Sequence, residues 1–253
     1  MTSSFRLGTI AGIRLELHVS WLIILVLLTF SLATGWFPAA VPALSPLMYW
    51  SVSLLASLLL FAAVLAHELA HSLVAQARGL PVKRITLFIF GGVSDLEQEP
   101  RSPGVEFQMA FVGPLTSLII GVVTWWAAAA FGDASPLLDA LLSYLAITNL
   151  MLAGFNLLPG FPLDGGRVLR SILWKVTGNL RTATRWATLV GQGIAYLFIL
   201  GGIFVFFSGD LFDGLWFGFI GWFLLNAAQS AQSQQTLEVL LRAVTVGQVM
   251  RQV

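Results

Sequence analysis

The chain has no cysteine, so it has neither a disulfide framework nor a thiolate site, and any metal it binds must be held by nitrogen and oxygen donors. Charge is scarce too: 10% of the 253 residues are Asp, Glu, Lys or Arg, against roughly 25% in soluble domains. A net charge of +1 gives no field for steering a polyanion, so no nucleic-acid partner is expected. Apolar residues fill the sequence instead, at 57%, where soluble domains have about 45–50%. They gather in six runs, near residues 19–37, 50–75, 107–131, 137–158, 186–207 and 212–228. Crossing the hydrocarbon core of a bilayer takes about 20 apolar residues. The expected fold class is therefore an all-α polytopic membrane protein with six transmembrane helices, forming one domain over residues 1–231. The first run follows an ordered-looking lead and has no small-residue cleavage site before a soluble domain, so it is expected to stay as a span rather than be removed as a signal peptide.

All 13 Lys and Arg residues fall before the first run, after the second, after the fourth or after the sixth. The intervening loops carry only the acids Asp133, Asp139, Asp210 and Asp213. By the positive-inside rule the basic side is cytoplasmic, which places both termini there and implies a multi-pass protein of the plasma or inner membrane.

Against this background the stretch "VLAHELAHSLVA", residues 64–75, is out of place, because ionisable groups at membrane depth cost roughly 2.5 to 3.5 kcal/mol or more and are functional by default. On a helix residues i and i+4 lie one above the other, so His67 and His71 can share one cation through two imidazoles, with Glu68 beside the vacant coordination position. This is the H-E-x-x-H arrangement, in which two histidines hold Zn²⁺ and the glutamate takes a proton from the attacking water. In a chain with three His it would arise by chance roughly once in a thousand sequences of this composition.

A catalytic zinc normally takes three protein ligands, and the remaining histidine, His18, lies on an interfacial segment where it is either a ligand or a packing residue. The acids on the cytoplasmic side are Glu16, Asp95, Glu97, Glu99, Glu106, Asp164 and Glu238. Asp164 has suggestive surroundings, in "NLLPGFPLDGGRVLR", residues 156–170. Prolines and glycines break the helix there, and unwound backbone at membrane depth needs protein or a water-filled cavity around it. An Asp on such a break either reaches toward the histidines or caps the helix that starts near Gly165.

HELAH followed by N-x-x-P-x-x-P-L-D-G-G, present as Asn156, Pro159, Pro162, Leu163, Asp164, Gly165 and Gly166, resembles the site-2 protease family of intramembrane zinc metalloproteases. "FQMAFVGPLTSLIIG", residues 107–121, is similar to that family's small-residue third span. The resemblance implies His67, His71 and Asp164 as zinc ligands, Glu68 as general base and acid, and Asn156 as a contact to substrate or oxyanion, with an interhelical hydrogen bond as the alternative role for Asn156. It further implies cleavage of the transmembrane helix of a single-span membrane-protein substrate near the cytoplasmic face, often to release a regulatory factor. No segment between spans is long enough for a PDZ domain. The end, "AVTVGQVMRQV", residues 243–253, resembles the opening of a cystathionine-β-synthase-type (CBS) module, so residues 232–253 read as a linker and the start of a truncated module, and nucleotide binding would come only through the missing remainder.

A polytopic metal-binding transporter is the alternative, as is a relative that binds without cutting. A transporter needs polar residues along a pathway, whereas here they gather at one depth, and a binding-only relative would lack Glu68.

Residues 12–20 alternate Ile13, Leu15, Leu17 and Val19 with Arg14, Glu16 and His18, the period of a half-buried strand, with residues 5–10 as a hairpin partner. Residues 84–92, "RITLFIFGG", are a third strand candidate, so a small cytoplasmic interfacial β-sheet is expected. Unwinding a substrate helix in lipid leaves backbone groups unpaired, and an exposed strand edge can supply partners by β-augmentation. Arg84, Ile85, Thr86, Leu87 and Phe88 are the expected substrate-binding edge. The acidic run at residues 95–100 reads as a solvated loop. Arg167, Arg170, Lys175, Arg181 and Arg185 read as topology signals and contacts to the lipid bilayer.

Overall fold

A computed structural model describes residues 4–89, 91–96 and 98–242, with side chains through residue 230. The CBS-like stretch at residues 243–253 lies outside the described residues, as do Phe90 and Glu97. Among the described residues, six helices are long and apolar enough to cross a membrane: Val19–Ala40, Pro46–Ala77, Pro103–Ala134, Pro136–Asn156, Leu180–Phe207 and Leu211–Ser230. Large apolar side chains stand exposed along them, including Trp126 and Phe204, as on helices whose outer face meets lipid rather than water.

The chain divides into two compact units, Met1–Asn156 and Leu157–Val253. In the first, β1 (Ser4–Ile10) and β2 (Ile13–His18) form an antiparallel hairpin. Ala11 and Gly12 turn it with φ of 51° and 80°, the positive values of a primed two-residue turn. The alternation in β2 is genuine: Ile13 and Leu15 are buried while Arg14 is exposed. Helix α1 (Val19–Ser31) follows directly, and His18 caps it, its Nδ1 accepting from the Ser20 N–H at 3.2 Å. A five-residue π turn at Leu32–Trp36 and the short α2 (Phe37–Ala40) complete the first crossing.

Helix α3 (Pro46–Ala77) starts on a Ser45 cap with Pro46 in its first turn, a favourable pairing because the first-turn N–H groups lack helical partners. After it come β3 (Val82–Phe88), β4 (Gly91–Leu96), α4 (Pro103–Phe131) and α5 (Pro136–Asn156). Helix α4 packs against both α3 and α5. Buried Ile13, Leu15, Val82 and Ile85 of the sheet meet Ala75 of α3 and Met109 of α4 in one core cluster. A second, with Trp21 of α1 against Phe61 of α3 at 5.2 Å in edge-to-face geometry, reaches Leu87 of β3. The sheet is thereby packed against α3, the helix that carries His67 and His71, and against α1 and α4.

The sheet has four strands in the order β1-β2-β3-β4, with β2 and β3 parallel and β3 and β4 antiparallel. This corrects two expectations. Residues 84–88 are not an open edge: Ile85 pairs with Leu15 on one side and Ser94 on the other, and Leu87 with Leu17 and Gly92. Residues 84–87 pair with β2 and residues 85–88 with β4, so Arg84, Ile85, Thr86, Leu87 and Phe88 lie on an interior strand, and among the described residues the edges are β1 and β4. Nor is the acidic run loop throughout, since Asp95 and Leu96 belong to β4. Asp95 lies 3.3 Å from Arg84, whose guanidinium also approaches Glu16 at 3.8 Å.

In the second unit, α6 (Asp164–Thr177), α7 (Leu180–Phe207) and α8 (Leu211–Arg242) follow one another. Gly178, at φ 66°, ends α6 in the left-handed conformation that glycine adopts without a Cβ penalty. Helices α7 and α8 form an antiparallel pair in which Gly202 lies against the backbone of Gly214 and Gly218, the close approach that small residues allow between membrane helices.

Candidate metal centre

Helix geometry stacks His67 and His71 one turn apart on the buried face of α3, 4% and 8% exposed. Their Nε2 atoms stand 3.1 Å apart. Two nitrogens bound tetrahedrally to zinc at about 2.0–2.1 Å would be separated by roughly 3.3–3.4 Å, so the pair is already near a chelating spacing. What aims them is α4. His67 Nδ1 is 2.9 Å from Ser117 Oγ, and His71 Nδ1 donates to the Met109 carbonyl. A carbonyl only accepts, so His71 carries its proton on Nδ1 and its Nε2 presents the lone pair, as metal-ligating imidazoles do when their other nitrogen is held.

Met109, Gly113 and Ser117 recur every fourth residue along α4, on the face turned to α3. The middle position has no side chain for a reason: a Cβ on Gly113 would fall onto His71 Nε2 and stand 2.7 Å from His67 Nε2. Glycine there keeps clear the space between the two donor atoms, a cradle that one methyl group would fill. Both imidazoles thus fit a metal.

Glu68 turns toward the sheet. Its Oε2 accepts from Ser94 Oγ of β4 at 3.1 Å, and Ser94 Oγ lies 3.1 Å from Ser72 Oγ, one turn along α3. A Cβ on Gly92 would stand 2.9 Å from Glu68 Cδ, so the edge strand lies directly over the carboxylate. Asn156, the last residue of α5, donates from Nδ2 to the Leu152 carbonyl of its own helix at 3.0 Å.

In the second unit Asp164 occupies the first position of α6, and Leu163 rather than Asp164 is the N-cap residue. The two following glycines permit a tight wrap. A Cβ on Gly165 would strike the Leu157 and Leu158 carbonyls, and one on Gly166 the Gly160–Phe161 peptide. The chain before α6 thus folds back over the helix start that carries the carboxylate.

Of the other polar residues considered, His18 serves as a helix cap, Glu16 and Asp95 flank Arg84, and Glu106 is fully buried in the first turn of α4. The partners Met109, Gly113, Ser117, Ser94 and Gly92 escaped sequence reasoning. For three of them a signal existed, the fourfold spacing of Met109, Gly113 and Ser117.

The model of Peptidase family M50 matches residues 55–136 and 129–200, which takes in the HELAH motif and the Asp164 segment. The chain belongs to this family. Among M50 relatives, a Synechocystis protein, sll0528, described as a candidate zinc metalloprotease, is 43% identical over 94% of this chain and 62% of its own length. Rip3 of Mycobacterium tuberculosis, described in the same terms, is 38% identical over 99% of the chain and 64% of its own length. The chain therefore spans somewhat less than two thirds of the curated relatives it matches. The solved site-2 protease from Methanocaldococcus jannaschii superposes with a TM-score of 0.59 at 32% identity, over 90% of this chain and 95% of that one.

Proposed function

We propose that the chain is a zinc-dependent endopeptidase that cleaves transmembrane segments of other membrane proteins near the cytoplasmic face, the chemistry of regulated intramembrane proteolysis. The observation that carries this reading is the pair of Nε2 atoms 3.1 Å apart with a glutamate adjacent in sequence. His67, His71 and Asp164 each offer one ligand atom, the three-residue protein donor set of a catalytic zinc. Zinc, when bound, polarises the scissile carbonyl as a Lewis acid and makes a neighbouring water acidic near neutral pH.

The residues of the chain do the rest. Ser117 and the Met109 carbonyl orient the two imidazoles, and the carbonyl fixes the tautomer of His71. Ser94 fixes the Glu68 carboxylate, which takes the proton from water and returns it to the leaving amine as general base and then acid. Asn156 contacts the substrate or the developing oxyanion. A substrate helix must unwind before its peptide carbonyls are accessible, and in lipid each unpaired backbone group costs several kcal/mol. The edge of β4, which lies over Glu68, offers main-chain partners for such a segment. The single-sided distribution of the 13 basic residues supports a cytoplasmic placement of this sheet in the plasma or inner membrane.

The test is Glu68→Gln in the full chain against single-span substrates. Zinc content should match the wild type while cleavage falls by at least about 10²–10⁴-fold, the range for loss of a general base. Full cleavage by that variant would remove the protease reading.

A further inference from the structure

We propose that the start of α7, with the end of α6, forms a binding surface for the headgroup of an anionic phospholipid. From residue 165 to residue 209 the chain has five basic residues and no acid. One of them is used internally: Arg170 is 7% exposed and lies 5.2 Å over the Phe161 ring. Lys175, Arg181 and Arg185 are exposed, and among the described residues no carboxylate pairs with them.

Their placement matches a lipid. Arg181 and Arg185 are four residues apart, on one face of α7 and within its first two turns, so two guanidiniums can converge on a single phosphate. Trp186 follows at 56% exposed, the side chain that settles at the boundary between headgroups and acyl chains. Beyond it the exposed residues turn wholly apolar or aromatic, with Leu189, Tyr196, Leu197, Leu200 and Phe204. Arg185 to Phe204 covers about 28 Å at 1.5 Å per residue, the depth of the hydrocarbon core. The opposite face, through Ala183, Ala187, Gly191 and Ala195, is buried, so the cations face outward by construction. At the end of α6, Lys175 sits between exposed Ile172 and Val176, the mixture of an interfacial helix. A zwitterionic headgroup would leave these three cations uncompensated, whereas an anionic one neutralises them.

Each exposed cation near an anionic surface is worth about fivefold in lipid affinity, so three together amount to roughly a hundredfold. The full chain, purified in mild detergent, is titrated with equimolar phosphatidylglycerol and phosphatidylcholine, and retained lipids are counted by native mass spectrometry. The wild type should retain phosphatidylglycerol at least tenfold over phosphatidylcholine. Lys175→Gln with Arg181→Gln and Arg185→Gln should bring the ratio near one, and Arg181→Gln with Arg185→Gln alone should do most of this if the triple variant folds poorly. Arg6→Gln with Arg101→Gln, which removes exposed positive charge elsewhere, should preserve the preference. Equal retention of both lipids by the wild type, an undiminished ratio in both site variants, or an equal loss in the Arg6 and Arg101 control would overturn the proposal.

Discussion

Gly113→Ala adds one methyl group at the point where two ligands meet. Its Cβ would stand 2.7 Å from His67 Nε2 and closer still to His71 Nε2, whereas ordinary non-bonded contact lies near 3.5 Å or more. Either the rings withdraw by about 0.8 Å or more, or α4 backs away from α3. Zinc–nitrogen bonds tolerate about 0.2 Å, so the first response breaks the coordination. The second pulls Ser117 Oγ and the Met109 carbonyl off both Nδ1 atoms, and losing such outer partners typically costs 10- to 100-fold in metal affinity. Gly113→Ala is therefore expected to weaken zinc binding by at least about 100-fold, with an overpacking cost to the fold of about 1–3 kcal/mol. Elemental analysis of the purified protein and competition against a graded series of chelators measure the first quantity, and thermal unfolding the second. Gly154→Ala on α5, where a Cβ meets nothing within 4 Å, is the matched control and should keep its zinc. Wild-type zinc affinity in Gly113→Ala would refute the cradle.

Three further outcomes are expected. Asp164→Ala should lower zinc retention in chelator competition by about 10-fold or more, since only two protein donors remain; unchanged affinity would move the third ligand elsewhere. Val93→Pro, at an exposed position of β4, should depress substrate cleavage while zinc content persists, because proline removes a ladder donor, and full activity would argue against strand pairing at this edge. Single cysteines replacing Val41, Gly132 or Gly209 should react with an impermeant label from outside intact cells, and one replacing Gly178 only after permeabilisation; external labelling at Gly178 would reverse the orientation.

The features legible in the linear chain were those set by short-range geometry. His67 and His71 face one point because a helix returns every 3.6 residues. The runs of apolar residues implied six helices because a bilayer demands internally satisfied backbone over a fixed thickness. Strand β2 was visible because Ile13 and Leu15 alternate with charged residues.

Strand β4 was not legible, since "GGVSDL" has two glycines, a serine and an aspartate, all poor in strand propensity. It forms because β3 offers it an antiparallel ladder, and that pairing converts β3 from a presumed edge to an interior strand. Packing likewise decided what orients the imidazoles and the glutamate. Ser117 lies 50 residues from His67, Met109 lies 38 from His71, and Ser94 lies 26 from Glu68. Which residue donates to a ring nitrogen depends on how α3, α4 and the sheet meet, and local sequence carries no record of that contact. Histidines at helical spacing identify a chelating pair by themselves; that both rings are held from α4, with an emptied position facing them at Gly113, is a property of the tertiary structure alone.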